Sequence, residues 1–381
     1  SGGSLSEFGP ASGSGGPSTT VYTAKLTPTG SGTAVTRATS VSVSGNTFTD
    51  AAGNNNSTSN QFNWTYDNEP PSLSSVSITS ADNADNTKAK VGNEITLSFT
   101  ASETIQTPTV TFLSGGAAIT DTSITYTNTG GNNWTAKYTT DSNDTEGPIT
   151  YSIAYSDIAG NAGTAVISGS GSVTFDKTVP TLSSVAIESN NTPNTTAKLG
   201  SEITLSFTAS EQIQEPIVTF KSGPGAGNAI TNTVSYANAS GNKIDWTAKY
   251  IVHASDTDGS VTYSIAYSDI AGNPGSAVTT GSGSVTVDKT APTLSSVDIV
   301  SNNSTNNTRA KLGNEITLSF TASETIGTPT VTFLSGGNAI NNSVSYVNDG
   351  NDWTAKYIVH TSDTDGSVTY SIAYSDTAGN P

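Results

Sequence analysis

The sequence predicts an all-β protein built from tandem antiparallel β-sandwiches. Its clearest feature is the segment 149–161, ITYSIAYSDIAGN, which returns as VTYSIAYSDIAGN at 261–273 and as VTYSIAYSDTAGN at 368–380. In each copy Tyr and Ile alternate with Ser and Ala, a period of two that indicates a strand with one buried face. The Asp-x-Ala-Gly-Asn end is typical of a turn, because Asp and Asn can bond their own backbone and Gly supplies a positive φ.

The spacing of these copies predicts several separate domains. A period of about 110 residues is too long for a solenoid repeat and matches the usual size of one domain. We predict a partial domain at 1–70 that lacks its early strands, domains at 71–179 and 180–291, and a domain at 292–381 that lacks its last strand. Within the partial domain, the Gly/Ser-rich residues 1–17 are expected to be loop, and strands are expected at 21–26 and 61–67.

Seven strands are predicted within 71–179, from alternating β-branched and aromatic residues separated by Gly and Asn turns. In order, their core residues are Leu73, Val76 and Ile78; Ile95, Leu97 and Phe99; Val110 and Phe112; Ile124 and Tyr126; Trp134, Ala136 and Tyr138; Tyr151, Ile153 and Tyr155; and Val173 and Phe175. Seven strands in roughly 100 residues favour a two-sheet immunoglobulin-like sandwich over an up-and-down barrel.

The composition limits the kinds of molecule that the chain can bind. The chain has 381 residues and a formal net charge of −17, with 31 acidic residues against 14 Lys and Arg. Nucleic-acid binding requires many Lys and Arg side chains to contact the phosphates, so we exclude it. An acidic surface instead favours solubility and the binding of cations. Cysteine and methionine are both absent, so no disulfide supports the fold, and the lack of oxidisable sulfur favours an extracellular location. The sequence contains no run of about 18 apolar residues, so no membrane span is predicted.

Four motifs carry a resemblance to a known family. They are EITLSFTASE at 94–103, NWTAKY at 133–138, YSIAYSDIAGN at 151–161 and FDKTVPTLSSV at 175–185. Together they resemble the bacterial immunoglobulin-like (Big-type) tandem repeats of large cell-surface and adhesin-type proteins. The resemblance implies the sandwich fold, a location outside the cell, and a role as a spacer.

Short linkers join the predicted domains. They are 67–71, 176–180 and 288–292, and each ends in proline. Proline fixes its own φ and restricts the residue before it. The last strand of one domain therefore continues almost directly into the next, which predicts a semi-rigid rod.

Acidic residues in loops and linkers predict metal sites between domains. In an immunoglobulin-like sandwich the B–C and F–G loops lie at the end where strand A begins, and the A–B and E–F loops lie at the other end. Two junctions should then gather carboxylates: Asp144, Glu146, Asp176, Glu211 and Asp269 at the first, and Asp256, Asp258, Asp288, Glu324 and Asp376 at the second. Such groups repel one another without a cation, and hard oxygen ligands suit Ca²⁺. The alternative is that these residues are ordinary turn formers.

From these observations we expect an extracellular structural or adhesion protein that forms a stalk, and no enzymatic activity. The stalk would project or assemble a surface structure, with other copies of the chain or other surface proteins as partners. One alternative is a filament subunit that polymerises by strand exchange between incomplete end domains. A further alternative is a surface module that binds glycans through its loops.

Overall fold

A computed structural model describes residues 3–11, 21–28, 36–81, 85–121, 123–230, 232–238 and 240–381 of the chain. Every regular element in these residues is a β-strand. None of them forms a helix that could span a membrane. The chain divides into two compact units, Ser1–Thr178 and Val179–Pro381, which are described separately.

The first unit begins with two antiparallel pairs, β1 with β2 and β3 with β4. Their bounds are β1 (Gly3–Pro10), β2 (Tyr22–Pro28), β3 (Thr36–Val41) and β4 (Phe62–Asp67). The expectation of loop for 1–17 was therefore wrong at Gly3–Pro10. Phe8 of β1 stacks on Tyr22 of β2 with ring centroids 5.6 Å apart, and a cross-strand aromatic pair of this kind stabilises a hairpin.

The remainder of the first unit is a two-sheet sandwich, the first sandwich. Its strands are β5 (Leu73–Ser80), β6 (Lys88–Ala89), β7 (Glu94–Ala101), β8 (Thr109–Ser114), β9 (Ala117–Ala118), β10 (Thr125–Gly130), β11 (Asn133–Thr139), β12 (Gly147–Ala154) and β13 (Val173–Phe175). One sheet has the order β10-β11-β7-β5 and the other the order β6-β13-β12-β8-β9. These are the A-B-E-D and C-F-G sheets of an immunoglobulin-like fold. The predicted strand A is β5, and β6 and β9 are additional short strands.

Alternation along β7 explains how the core forms. Ile95, Leu97 and Phe99 are buried, and the intervening Thr and Ser residues face outward. Across the core, Phe112 packs against Tyr138 with ring centroids 4.7 Å apart. The sheets therefore bury one apolar face each and leave hydroxyl side chains on the outer faces, as sheets in a sandwich do.

The second unit contains two further sandwiches. The second sandwich consists of β14 (Leu182–Ser189), β15 (Thr196–Ala197), β16 (Glu202–Ala209), β17 (Ile217–Ser222), β18 (Asn228–Ala229), β19 (Ser235–Asn238), β20 (Asp245–Ile251), β21 (Gly259–Ala266) and β22 (Thr286–Val287). Its sheets have the orders β14-β16-β20-β19 and β15-β22-β21-β17-β18. It thus repeats the topology of the first sandwich strand for strand.

The third sandwich has fewer strands in its second sheet. Its strands are β23 (Leu294–Ser301), β24 (Glu315–Ala322), β25 (Thr330–Ser335), β26 (Asn338–Ala339), β27 (Ser345–Asp349), β28 (Asp352–Ile358) and β29 (Val368–Ala373). The sheets are β23-β24-β28-β27 and β26-β25-β29. The fold is thus all-β with tandem immunoglobulin-like sandwiches, as predicted, while the domain boundaries given above stay a prediction.

A Gly-Ser segment, residues 169–171 in the first sandwich and 281–283 in the second, pairs with strand A of its own sandwich. In the second sandwich, Ser282 donates its backbone N–H to the Val185 carbonyl (2.8 Å), and its own carbonyl accepts from Ile187 N (3.0 Å). Flanking glycines make this approach possible, because a Cβ on Gly281 would lie 2.6 Å from Tyr263 Oη. The segment therefore acts as an extra strand-like contact rather than as a free loop.

Candidate metal centre

The Asp-x-Ala-Gly-Asn turn fixes one carboxylate rigidly at the end of each F strand. In the first unit, Asp157 Oδ1 accepts from the Asn161 backbone N–H (2.8 Å), and Oδ2 accepts from Asn161 Nδ2 (2.7 Å). Burial alone would raise the pKa of Asp157, but these hydrogen bonds outweigh it and lower that pKa. Asp376 makes the same pair of bonds to Asn380. The turn thus holds a buried carboxylate in place.

Two groups of three carboxylates form around these turns. In the first unit, carboxylate oxygens of Asp67, Glu103 and Asp157 lie within 4.8 Å of one another. In the second unit, Asp288, Glu324 and Asp376 do the same. Each group combines a linker Asp, a Glu that follows strand B and an Asp that follows strand F. Equivalent positions in the repeat therefore build the same cluster in both units.

The pKa values of the glutamates in the two clusters reflect repulsion between the clustered carboxylates. Burial, followed by the charges of Asp67 and Asp157, raises the pKa of Glu103. Burial, followed by the charges of Asp288, Asp376 and Asp258, raises the pKa of Glu324. A raised pKa in the folded state means that the folded protein holds its proton to higher pH than the unfolded chain. The free energy of unfolding therefore falls as pH rises from the pKa of the unfolded chain through the raised pKa of the folded protein, unless a cation occupies the cluster.

Asp288 is the linker member of the second cluster. Burial is the largest cause of its raised pKa, a hydrogen bond from the Thr290 backbone opposes the rise, and the charges of Asp376 and Asp258 add to it. Three carboxylates supply hard oxygen ligands at close range, which is the donor chemistry that Ca²⁺ prefers. The residues present therefore fit a divalent cation with oxygen ligands.

Three of the five residues predicted for the second junction come together: Asp288, Glu324 and Asp376. The other two, Asp256 and Asp258, make different contacts. Asp256 Oδ2 accepts from the His253 backbone N–H (2.8 Å), so it closes its own turn. Asp258 Oδ2 accepts from Thr290 Oγ1 (2.7 Å), so it braces the linker and acts on the cluster only through its charge.

The E–F acids of the first unit also hold turns and linkers. Asp144 Oδ1 accepts from the Thr120 backbone N–H (2.8 Å). Glu146 Oε1 accepts from Thr178 Oγ1 and from the Lys177 backbone N–H, both at 2.8 Å, and these bonds lower the pKa of Glu146. Their carboxylates are thus engaged by donors of their own unit.

Three predicted ligands belong to different units. Asp176 lies in the first unit, where its Oδ1 accepts from the Thr178 backbone N–H (3.0 Å). Glu211 and Asp269 lie in the second unit, and Asp269 is buried with both oxygens bonded to Asn273. Their role as ligands stays a prediction.

All three members of the first cluster, Asp67, Glu103 and Asp157, were missing from the predicted ligand set. The linker member is Asp67. A signal for it exists in the sequence, because Asp67 precedes Pro71 by the same spacing that separates Asp176 from Pro180 and Asp288 from Pro292. The surrounding linker, Asp-Asn-Glu-Pro-Pro, differs from the Asp-Lys-Thr of the later linkers, which hid the correspondence.

The second cluster lies where two sandwiches of the second unit touch. Asn380 Nδ2 donates to the Asp288 carbonyl (2.9 Å), Asn191 Nδ2 donates to the Ala378 carbonyl (2.8 Å), and Lys198 Nζ donates to the Gly379 carbonyl (2.8 Å). Ala378 is fully buried there. The Asp-x-Ala-Gly-Asn turn of the third sandwich is therefore docked onto the second sandwich.

Comparisons with known proteins return the fold class and no family. No protein family and no curated protein matches this chain. Among solved structures, the chain is similar to the I-band fragment I67-I69 from titin, with 12% identity, coverage of 80% of this chain and 93% of that chain, and a TM-score of 0.34. It is also similar to domains A168-A170 from titin, with 11% identity, coverage of 81% and 94%, and a TM-score of 0.30. The bacterial immunoglobulin-like family stays a prediction.

Proposed function

We propose that the chain is an extracellular structural protein whose tandem sandwiches form a semi-rigid stalk of a surface or adhesion assembly. The observation that supports this proposal most directly is the docked turn of the second unit. Three hydrogen bonds from side chains to backbone carbonyls cross that junction, and such bonds restrict rotation about a linker. A stalk requires this restriction, because freely hinged domains cannot hold a tip at a distance.

The junction bonds should keep the second and third sandwiches in one relative orientation. The chain has no cysteine, so spin labels can be attached at Ala237→Cys and Val347→Cys, two exposed positions on β19 and β27. We expect a single narrow distance distribution. The double variant Asn191→Ala/Lys198→Ala should broaden it, whereas Lys221→Ala, on an exposed lysine of β17, should leave it unchanged. A broad distribution in the protein without junction variants would contradict the proposal.

We further propose that Ca²⁺ binds the carboxylate clusters and stiffens the junctions. In support, Asp288, Glu324 and Asp376 come from a linker and from the sandwich that follows it, so one cation would tie the two together. Neutralising their repulsion would also remove the cost that burial and neighbouring charges impose on Glu324. Glutamine at position 324 keeps the shape and removes one charge, which isolates the electrostatic contribution.

Calorimetric titration should therefore detect Ca²⁺ binding, accompanied by a rise in the melting temperature. Glu324→Gln should weaken binding at one site by about tenfold, because ligand charge sets Ca²⁺ affinity. The matched variant Glu188→Gln, on β14 outside both clusters, should bind as the unmodified protein does. No heat and an unchanged melting temperature would remove Ca²⁺ from the proposal and leave the docked junction untouched.

A further inference from the structure

Three buried polar side chains of the second sandwich have no hydrogen-bond partner for one of their atoms within the described residues. Tyr250 and Ser222 are each 1% exposed, and Asp256 is 6% exposed. The unpartnered atoms are the Tyr250 hydroxyl, the Ser222 hydroxyl and Asp256 Oδ1. A buried polar atom without a partner costs free energy, and native folds normally supply one. Each of the three atoms therefore requires a partner that the described residues do not provide.

The three side chains belong to one end of the core, beside the E–F turn. Ser222 ends β17 on the same inward face as Phe220, and Phe220 packs on Tyr250 with ring centroids 4.9 Å apart. The next residue, Gly223, lies against the turn, because a Cβ added to it would be 3.1 Å from Thr257 Cγ2. Strand C, strand E and the E–F turn therefore meet where these polar groups are buried.

Asp256 precedes Thr257 in that turn and contributes the acceptor. Its Oδ2 accepts from the His253 backbone N–H (2.8 Å), and its Oδ1 is the oxygen without a partner. Burial, and then the charge of Asp256, raises the pKa of Tyr250, so the phenol stays protonated at neutral pH and remains a donor. A donor and an acceptor thus lie near each other without a direct hydrogen bond between them.

The first sandwich satisfies the corresponding positions with its own residues. Asp144 Oδ1 accepts from the Thr120 backbone N–H (2.8 Å) and from Thr120 Oγ1 (3.0 Å). Ser114 Oγ donates to a carbonyl of the E–F turn (2.7 Å). Of the three counterparts, Tyr138 alone has an unpartnered hydroxyl within the described residues. Thr231, which matches Thr120 in the second sandwich, lies outside the described residues.

A water molecule has the donors and acceptors that the three side chains of the second sandwich require. A phenol donates, a carboxylate accepts, and a serine hydroxyl does either. A buried water typically makes about three hydrogen bonds to groups that would otherwise be unsatisfied. A metal cation fits less well, because Lys289 Nζ already donates to the Asp256 carbonyl, and a hard cation takes about six or more oxygen ligands.

We propose that the second sandwich binds one structural water molecule, which accepts from Tyr250 Oη, donates to Asp256 Oδ1 and bonds Ser222 Oγ. The water joins strands C and E to the E–F turn. The carbonyls of Ala254 (3.0 Å) and Asp256 in that turn accept from Lys289 Nζ, so the water holds the acceptors that anchor the start of the linker. The site is separate from the carboxylate clusters and does not rest on the stalk or Ca²⁺ proposals.

Counting long-lived internal waters by ¹⁷O magnetic relaxation dispersion tests the site directly. Tyr250→Phe in the full chain should remove one such water per chain, because the phenol hydroxyl is one of its three partners. Tyr138→Phe is the matched control: it removes the counterpart hydroxyl of the first sandwich and should leave the number of internal waters unchanged. The same number of internal waters in Tyr250→Phe and in the unmodified protein would overturn the proposal.

Thermal unfolding of the same variants gives a second readout. Tyr250→Phe should lower the melting temperature of the second sandwich by about 4 °C, because Asp256 Oδ1 and Ser222 Oγ lose their partner. Tyr138→Phe should leave the melting temperature of the first sandwich unchanged or raise it, because an unpartnered hydroxyl is removed. An unchanged or higher melting temperature in Tyr250→Phe would show that the site is dry. A lower one with an unchanged number of waters would show that Tyr250 bonds Asp256 directly, and either result would overturn the proposal.

Discussion

Gly281→Ala should lower the stability of the second sandwich by about 3 kcal/mol, an effect at the upper end for overpacked interiors. Gly281 lies in the Gly-Ser segment that contacts β14. An added Cβ would press on the Val185 carbonyl oxygen and would lie 2.6 Å from Tyr263 Oη. Neither atom can retreat, because the Val185 carbonyl already accepts from Ser282 N (2.8 Å) and Tyr263 is a buried residue of the core.

Gly327→Ala is the matched control. Gly327 has ordinary space around it, since the nearest atom to an added methyl group would be the Ser375 carbonyl oxygen at 3.8 Å. Alanine there should be neutral or slightly stabilising, because it reduces the freedom of the unfolded chain. Chemical denaturation followed by tryptophan fluorescence measures both, with each sandwich fitted as its own transition. A loss of stability in Gly281→Ala as small as that in Gly327→Ala, each measured against the unmodified protein, would show that the Gly-Ser segment is not a packed part of the fold.

The sequence patterns were sufficient to predict the buried face of a strand, which depends only on local alternation. Ile95, Leu97 and Phe99 occupy every second position of β7 and are all buried, as predicted. The period of two identifies the inward face without knowledge of the partner strand. By contrast, Gly3–Pro10 offers little apolar alternation. It forms a strand because β2 pairs with it, and such pairing cannot be read from the segment alone.

The candidate metal centre divides in the same way. A carboxylate in a repeated turn, such as Asp269 or Asp376, could be selected from the sequence because the motif returns three times. Which acids converge depends on loop geometry at longer range. Asp144 was predicted as a ligand, yet the backbone of Thr120, 24 residues away, donates to its carboxylate. The local sequence around Asp144 does not predict that donor.

Phe220→Ala should have the largest effect, a loss of about 3–5 kcal/mol, which is typical of deleting a buried aromatic ring. Phe220 of β17 is almost completely buried and packs on Tyr250 of the opposite sheet, with ring centroids 4.9 Å apart. Removing the ring leaves a cavity between two sheets that the other core side chains still hold apart, so the walls collapse only in part to fill it.

The same strand supplies a control for Phe220→Ala. Ile217 is 68% exposed on the outer face of β17, and Ile217→Ala should change stability by less than about 0.5 kcal/mol. Because both variants remove side-chain volume from one strand, the contrast measures burial and not strand propensity. Losses of similar size would mean that Phe220 does not lie between two packed layers. Such a result would remove the second sandwich, onto which the turn of the third sandwich docks.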